Sequence, residues 1–303
     1  MSFTVTILGS SSALPTSKRS LSAHLVNHDE RFFLIDCGEG TQLQLRKFKT
    51  KFSRINHIFI SHHHGDHVFG LFGLLSSYSL MGRKSSINIY APPAIEDIIN
   101  YVFNKLKQDL TYKINFITIK GNTVQKIYDD GKLEVTAFPL KHRVRCYGFL
   151  FKEKPKQKNI RKEAIEKYHL SLKDILSIKN GADYITSDDQ LIQNSELTID
   201  PPAPKSYAYC TDTKKNEKII DIIKGVDLLY HEATFLKEDE HTANETYHTS
   251  TFGAAEIAAK AEVQKLIIGH FSARYKDDSL FLKQATEIFK NTILAEDGLV
   301  VKI

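Results

Sequence analysis

The chain has 303 residues, 42% of them hydrophobic, and a formal net charge of +5. That length suits one large domain or two small ones with a sizeable core, and no apolar run reaches the roughly 18–20 residues needed to span a bilayer. The opening MSFTVTILGSSS lacks the basic-then-apolar layout of a secretory signal, and the cysteines Cys37, Cys146 and Cys210 show no CxxC spacing, which argues against a disulfide framework or a cysteine zinc site and fits a reducing cytoplasm.

Residues 3–8 alternate apolar and polar as a half-buried strand does, and 31–35 read as another strand ending at Asp36-Cys37-Gly38. The short apolar run 58–60 stops abruptly at Ser61-His62-His63-His64-Gly65-Asp66-His67. Helix signals follow over 71–78, a strand over 87–90 and an amphipathic helix over 94–106. Residues 132–138 alternate as a strand that leads into His142. From about 152 to 199 apolar residues thin out and lysines crowd in, until Pro201, Pro202 and Pro204 close the stretch. Alternation then resumes: a strand over 206–210, a helix over 216–223, strands over 226–230 and 265–268, a helix over 251–261 between them, and a short apolar run at 299–303 that suits a strand. The pattern predicts a layered α/β architecture with one inserted polar excursion.

His62-x-His64-x-Asp66-His67 is the central chemical feature. His62 and His64 are two apart, so extended backbone points both the same way. Asp66 and His67 fall where the chain turns and can face a second point. Imidazole nitrogens and carboxylate oxygens so crowded are costly to leave unpaired, and zinc satisfies both. His63 should point away. His24, His28, His57, His169 and His241 show no partner pattern and read as surface or structural residues.

The HxHxDH motif after a strand resembles the signature of the metallo-β-lactamase superfamily. Lactams, thioesters, sulfate esters and phosphodiesters are all cleaved on that fold, so the fold alone chooses no substrate. Further motifs resemble the ribonuclease Z family along nearly the whole chain: Leu8-Gly9-Ser10-Ser11-Ser12-Ala13-Leu14-Pro15-Thr16-Ser17-Lys18-Arg19, His231-Glu232-Ala233-Thr234, His248-Thr249-Ser250-Thr251, and Gly269-His270-Phe271-Ser272-Ala273-Arg274-Tyr275. The 152–199 excursion sits where that family carries its flexible tRNA-binding arm. Within it, residues 152–167 hold seven basic and three acidic side chains, a net of +4 in sixteen residues. Such a patch suits phosphate contact. The arm departs from many relatives in having Asn180-Gly181-Ala182 without a Gly-Pro pair, as does Ala91-Pro92-Pro93-Ala94, where relatives often place a glycine beside the proline.

The resemblance implies a single domain over 1–303 with an αββα four-layer sandwich. It implies two zinc ions, one on His62, His64, His142 and Asp212, the other on Asp66, His67, Asp212 and His270, with Asp212 bridging. It implies an endoribonuclease that removes the 3′ trailer of precursor tRNA, acting as a cytoplasmic homodimer. In the family's terms Asp66 is also the general base, and His248 protonates the leaving oxygen with Glu232 orienting it. Arg274 holds a phosphate oxygen. His248 as a helix cap and Arg274 as a surface ion pair are the plainer alternatives. Asp36 is expected to orient a ligand histidine. Two other functions compete: a hydrolase of small phosphodiesters or sulfate esters, which losing the basic arm would favour, and a non-catalytic RNA-binding subunit, which loss of ligands would favour.

Overall fold

Side-chain alternation decides the layering. In the strand Arg31–Ile35, Phe32 and Leu34 enter one apolar core, while the Phe33 ring points the other way and meets Phe59 and Phe151. In Ser206–Cys210, Ala208 and Cys210 enter a second core, while Tyr207 and Tyr209 face His24 and Phe151. Each sheet therefore buries both faces, one against helices and one against the other sheet.

The computed structural model describes residues 2–303. Contacts divide the chain into two units, one made of Asp129–Glu134 and Lys152–Pro204, the other of the remainder. The larger unit is built on two seven-stranded sheets. In the first the strand order is Val300–Lys302, Phe3–Gly9, Ala23–His28, Arg31–Ile35, Ile55–Phe59, Ile87–Ala91, Ile114–Thr118. In the second it is Thr292–Leu294, Leu266–Gly269, Leu228–Glu232, Ser206–Cys210, Tyr147–Glu153, Leu133–Pro139, Gln125–Asp129. Helices Thr41–Lys47, Gly65–Leu80 and Pro93–Leu106 cover the first sheet through Leu45, Leu71, Leu75, Ile95 and Ile99. Helices Thr251–Lys260 and Ser279–Ile288 cover the second through Ala254, Ile257, Ala258 and Phe281. The result is the αββα sandwich that the resemblance implies.

Aromatic rings fill the space between the sheets. Phe59 stacks on Tyr90 at 4.4 Å between centroids, and Tyr209 on Tyr230 at 5.1 Å. Truncating one such fully buried ring costs roughly 3–5 kcal/mol. Their polar atoms are satisfied inside: the Tyr209 hydroxyl donates to Asp36 Oδ2 at 2.8 Å, and the Tyr207 hydroxyl lies 2.7 Å from His24 Nδ1.

Arg31–Ile35, Ile55–Phe59 and Ile87–Ala91 run parallel, as do Ser206–Cys210, Leu228–Glu232 and Leu266–Gly269. Loops at the carboxyl ends of such strands carry ligand sites in open α/β sheets. Here those loops begin with Asp36, Ile60, Thr211 and His270, which is why residues from distant stretches share one rim.

Three local expectations change. The 216–223 helix is a single tight turn over Glu217–Ile219, broken before the positive φ of Gly225 (68°). The helix expected at 71–78 starts earlier, at Gly65, so Asp66 and His67 lie in its first turn. The smaller unit is not featureless: it holds helices Lys162–Lys167 and Leu172–Lys179, two short strand pairs, and a core of Ala164, Leu170, Ile178, Ile192 and Leu197.

Candidate metal centre

Seven side chains from four stretches converge. His62 and His64 precede the Gly65–Leu80 helix, Asp66 and His67 open it, and His142, Asp212 and His270 each follow a strand of the second sheet. His62 Nε2 is 3.1 Å from His64 Nδ1, which is 3.2 Å from His142 Nε2. Asp212 Oδ2 lies 3.6 Å from His62 Nε2 and 3.7 Å from His142 Nε2. Its other oxygen, Oδ1, lies 3.2 Å from His67 Nε2 and 3.1 Å from His270 Nε2. Asp66 Oδ2 completes that second set at 3.5 Å and 3.7 Å from the same two nitrogens. Asp212 thus turns one oxygen to each donor set.

These donors fit metal ions. Ligand atoms at zinc's usual 2.0–2.1 Å in a tetrahedron stand about 3.4 Å apart, the spacing found here. His67 Nε2 and His270 Nε2 are buried yet have no hydrogen-bond partner within the protein. Buried polar atoms are rarely left so unless an ion or water belongs there. Burial holds His62 well below the usual histidine range, which leaves it unprotonated as a ligand must be. His67 is raised well above that range: burial opposes the charge, but Asp212, Asp66 and Asp36 outweigh it.

The outward-facing ring nitrogens are held in turn. His67 Nδ1 is 2.8 Å from Asp36 Oδ2, and Asp36 also accepts the Ser61 N–H at 2.7 Å and the Ser61 hydroxyl at 2.9 Å. That hydroxyl lies 2.9 Å from His62 Nδ1, His142 Nδ1 is 3.2 Å from the Tyr247 carbonyl, and His270 Nδ1 is 2.9 Å from Thr234 Oγ1. Such contacts fix ring orientation and tautomer. Asp36 (φ 55°) and His270 (φ 61°) occupy the left-handed region, a conformation uncommon outside glycine and found where a site constrains the chain.

Glu232 ends its strand with no exposure and collects donors. The N–H groups of Thr213, Thr234 and Thr249 and the Thr234 hydroxyl donate to it at 2.9, 3.2, 3.2 and 2.7 Å. His248 Nδ1 is 2.9 Å from Glu232 Oε1. Burial works against a charged His248, yet the Glu232 carboxylate raises its pKa to about 9. The His248 ring lies 5.5 Å from those of His142 and His270 and lines one cavity of about 220 Å³ with His64, Asp66, His142 and Asp212. Ser250, not His248, caps the following helix by accepting the Gly253 N–H. Arg274 is exposed and does not line that cavity; its guanidinium lies 4.8 Å over the Phe235 ring, which stands 6.2 Å from that of His248. His63 joins no donor set.

Sequence reasoning missed several contributors. Ala13, at φ 55°, donates its N–H to Asp66 Oδ2 at 3.0 Å, and Ser12, Arg143 and Thr246 line the cavity. Thr234 lies within the His231–Thr234 motif and was within reach, but its hydroxyl's position between Glu232 and His270 needs the fold. The cysteines play no nucleophilic part: burial raises the thiols of Cys37, Cys146 and Cys210 far above neutrality.

Fold and donor set together define a metal-dependent hydrolase of the metallo-β-lactamase superfamily. Curated relatives narrow this. The ribonuclease Z of Bacteroides fragilis (strain YCH46) is 44% identical over 301 residues, 99% of both chains. That of Phocaeicola vulgatus is 46% identical over 99% of this chain and 97% of its own. Human tRNase Z, short form, superposes with a TM-score of 0.72 at 26% identity over 98% of both chains. The yeast long-form RNase Z shares the fold at a TM-score of 0.64 and 19% identity, over 99% of this chain and 42% of that one. The chain belongs to the ribonuclease Z family of hydrolytic nucleases, and over residues 3–251 it also falls in the family described as Anti-Pycsar protein Apyc1.

Proposed function

We propose that the protein is a zinc-dependent endoribonuclease that cuts the 3′ trailer from precursor tRNA, leaving a 3′ hydroxyl on the tRNA and a 5′ phosphate on the trailer. His62, His64, His142 and Asp212 would hold one ion and Asp66, His67, Asp212 and His270 the other. The observation that carries the reading is Asp212, whose two oxygens face separate donor sets at 3.1–3.7 Å. When bound, such a pair of ions acidifies water and offsets charge on the phosphoryl oxygens.

The protein's own residues supply the rest. A water oxygen attacks phosphorus in line, the water proton passes to Asp66, and the bond from phosphorus to the 3′ oxygen breaks. His248 gives its proton to that leaving oxygen, while the contact of its Nδ1 with Glu232 leaves Nε2 as the donor to substrate. Arg274 reaches a phosphate oxygen from the rim and offsets charge there.

The unit containing 152–204 is proposed as the tRNA-gripping arm, an insertion of about 152–199 into one catalytic domain. Its net +4 over residues 152–167 supports phosphate contact. In a cytoplasmic homodimer the arm of one subunit would grip the tRNA cut by the other.

The test is a 3′-extended tRNA transcript incubated with the purified protein, with and without chelator, and the ends mapped. Cleavage at the tRNA 3′ boundary that chelator abolishes and zinc restores is the expected result. Rapid turnover of a chromogenic phosphodiester with an intact precursor would replace this reading with a small-phosphodiester hydrolase.

A further inference from the structure

Beside the catalytic cavity runs a larger groove of about 960 Å³, and the two share His142 and Arg143. Its basic lining is Lys141, Arg143, Arg145, Lys215 and Lys218. Two of these are engaged: Arg143 donates to the Glu245 carbonyl at 3.2 Å, and Lys215 pairs with Glu256. Lys141, Arg145 and Lys218 are exposed, and among the described residues no carboxylate forms a salt bridge with them. The groove's one acid, Glu217, is taken by Lys260 at 2.5 Å. The concave surface thus carries three cations without an ion-pair partner among the described residues, and through His142 and Arg143 it adjoins the cavity that holds the donor cluster.

We propose that this groove is the channel for the single-stranded 3′ trailer, held by its phosphates. The inference rests on the nuclease reading above and adds the part of the substrate that reading leaves without a holder. The arm is assigned to the tRNA body, so the strand beyond the cut needs its own contacts. Lysine and arginine on flexible stems bind backbone phosphates without regard to sequence, which suits a trailer of variable sequence. A concavity of this size takes a flexible single strand, whereas a duplex would have to lie across its rim.

The test replaces Lys141, Arg145 and Lys218 together by alanine. Steady-state cleavage is measured on two precursors of the same tRNA, one with a single trailing nucleotide and one with a trailer several nucleotides long. Circular dichroism and metal content check that the variant is intact. For the long trailer, KM should rise about tenfold, and the slope of log KM against log salt should fall by about 2, since each lost single-strand phosphate contact removes about 0.7. For the single nucleotide, KM should stay as in the wild type. An equal rise on both substrates would place these cations on the tRNA body, and no rise on the long trailer would leave the groove without RNA; either overturns the proposal. A wild-type protein that cuts neither precursor would sink the nuclease reading itself, a result visible before any variant is compared.

Discussion

Glu232 cannot be reached by solvent and accepts from three backbone N–H groups, a hydroxyl and a ring nitrogen. Only the last of these moves toward chemistry; the others hold the carboxylate still. His248→Ala should therefore lower kcat by roughly 10²–10⁴ with metal content unchanged, the range for a lost general acid. Glu232→Gln should fall in the same direction by less, because the amide can still meet His248. Full activity in His248→Ala with metal retained would remove the proton donor from the mechanism. Asp36 works on the opposite side of the cluster, through His67 at 2.8 Å. Asp36→Ala should weaken metal affinity about 10–100-fold, read by competition with a chromogenic chelator; an unchanged affinity would mean that the ring is held by packing alone.

The helix Gly65–Leu80 delivers Asp66 and His67, and its seat is backbone against backbone. The Gly70 N–H donates to the Cys37 carbonyl at 2.9 Å, and a Cβ on Gly70 would lie 2.0 Å from the Gly38 carbonyl oxygen. Gly70→Ala should push the helix off this strap, lowering both metal occupancy and thermal midpoint; unchanged metal content in a folded Gly70→Ala protein would show that the first turn is positioned independently. The same helix shows what was legible in the sequence. HxHxDH is contiguous, so its chemistry reads directly, whereas His142, Asp212 and His270 stand singly after separate strands and only the family resemblance singles them out in the sequence. The strand Ala23–His28 escaped notice because His24 and His28 interrupt its apolar pattern, although both are buried. The small core of the 152–204 unit escaped too: Ala164, Leu170, Ile178, Ile192 and Leu197 are spread over some thirty residues of mostly polar chain, with no period to link them. The isoleucines at 219, 220, 222 and 223 suit a helix, yet Ile219 enters the core from the tight turn and Ile223 from the segment after it, with Ile220 and Ile222 half-buried against that core.

Packing two sheets face to face encloses groups that titrate near neutrality, and this sets how the whole molecule responds to acid. His24 lies between the sheets against Tyr209 and Tyr230, with its Nδ1 beside the Tyr207 hydroxyl. Burial, and to a lesser degree the positive His67, lowers its pKa to about 3. His57, stacked near Tyr90, is lowered by burial to about 4. An unfolded chain protonates both near 6.5. Above that pH neither state binds the proton, and the two histidines leave stability unchanged with pH. Below it the unfolded chain takes up protons that the native chain refuses, so stability falls as pH drops from about 6.5 until the native pKa values are reached. The slope is about 1.4 kcal/mol per pH unit for each histidine. Urea midpoints of the chelator-treated protein should therefore decline as pH falls from about 6.5 to 5, and His24→Asn should lose one proton's share of that slope while being less stable at neutral pH, where the Tyr207 contact is weakened. Wild-type and His24→Asn curves that run parallel across this window would mean that His24 is already protonated in the native state, or that water reaches it between the sheets.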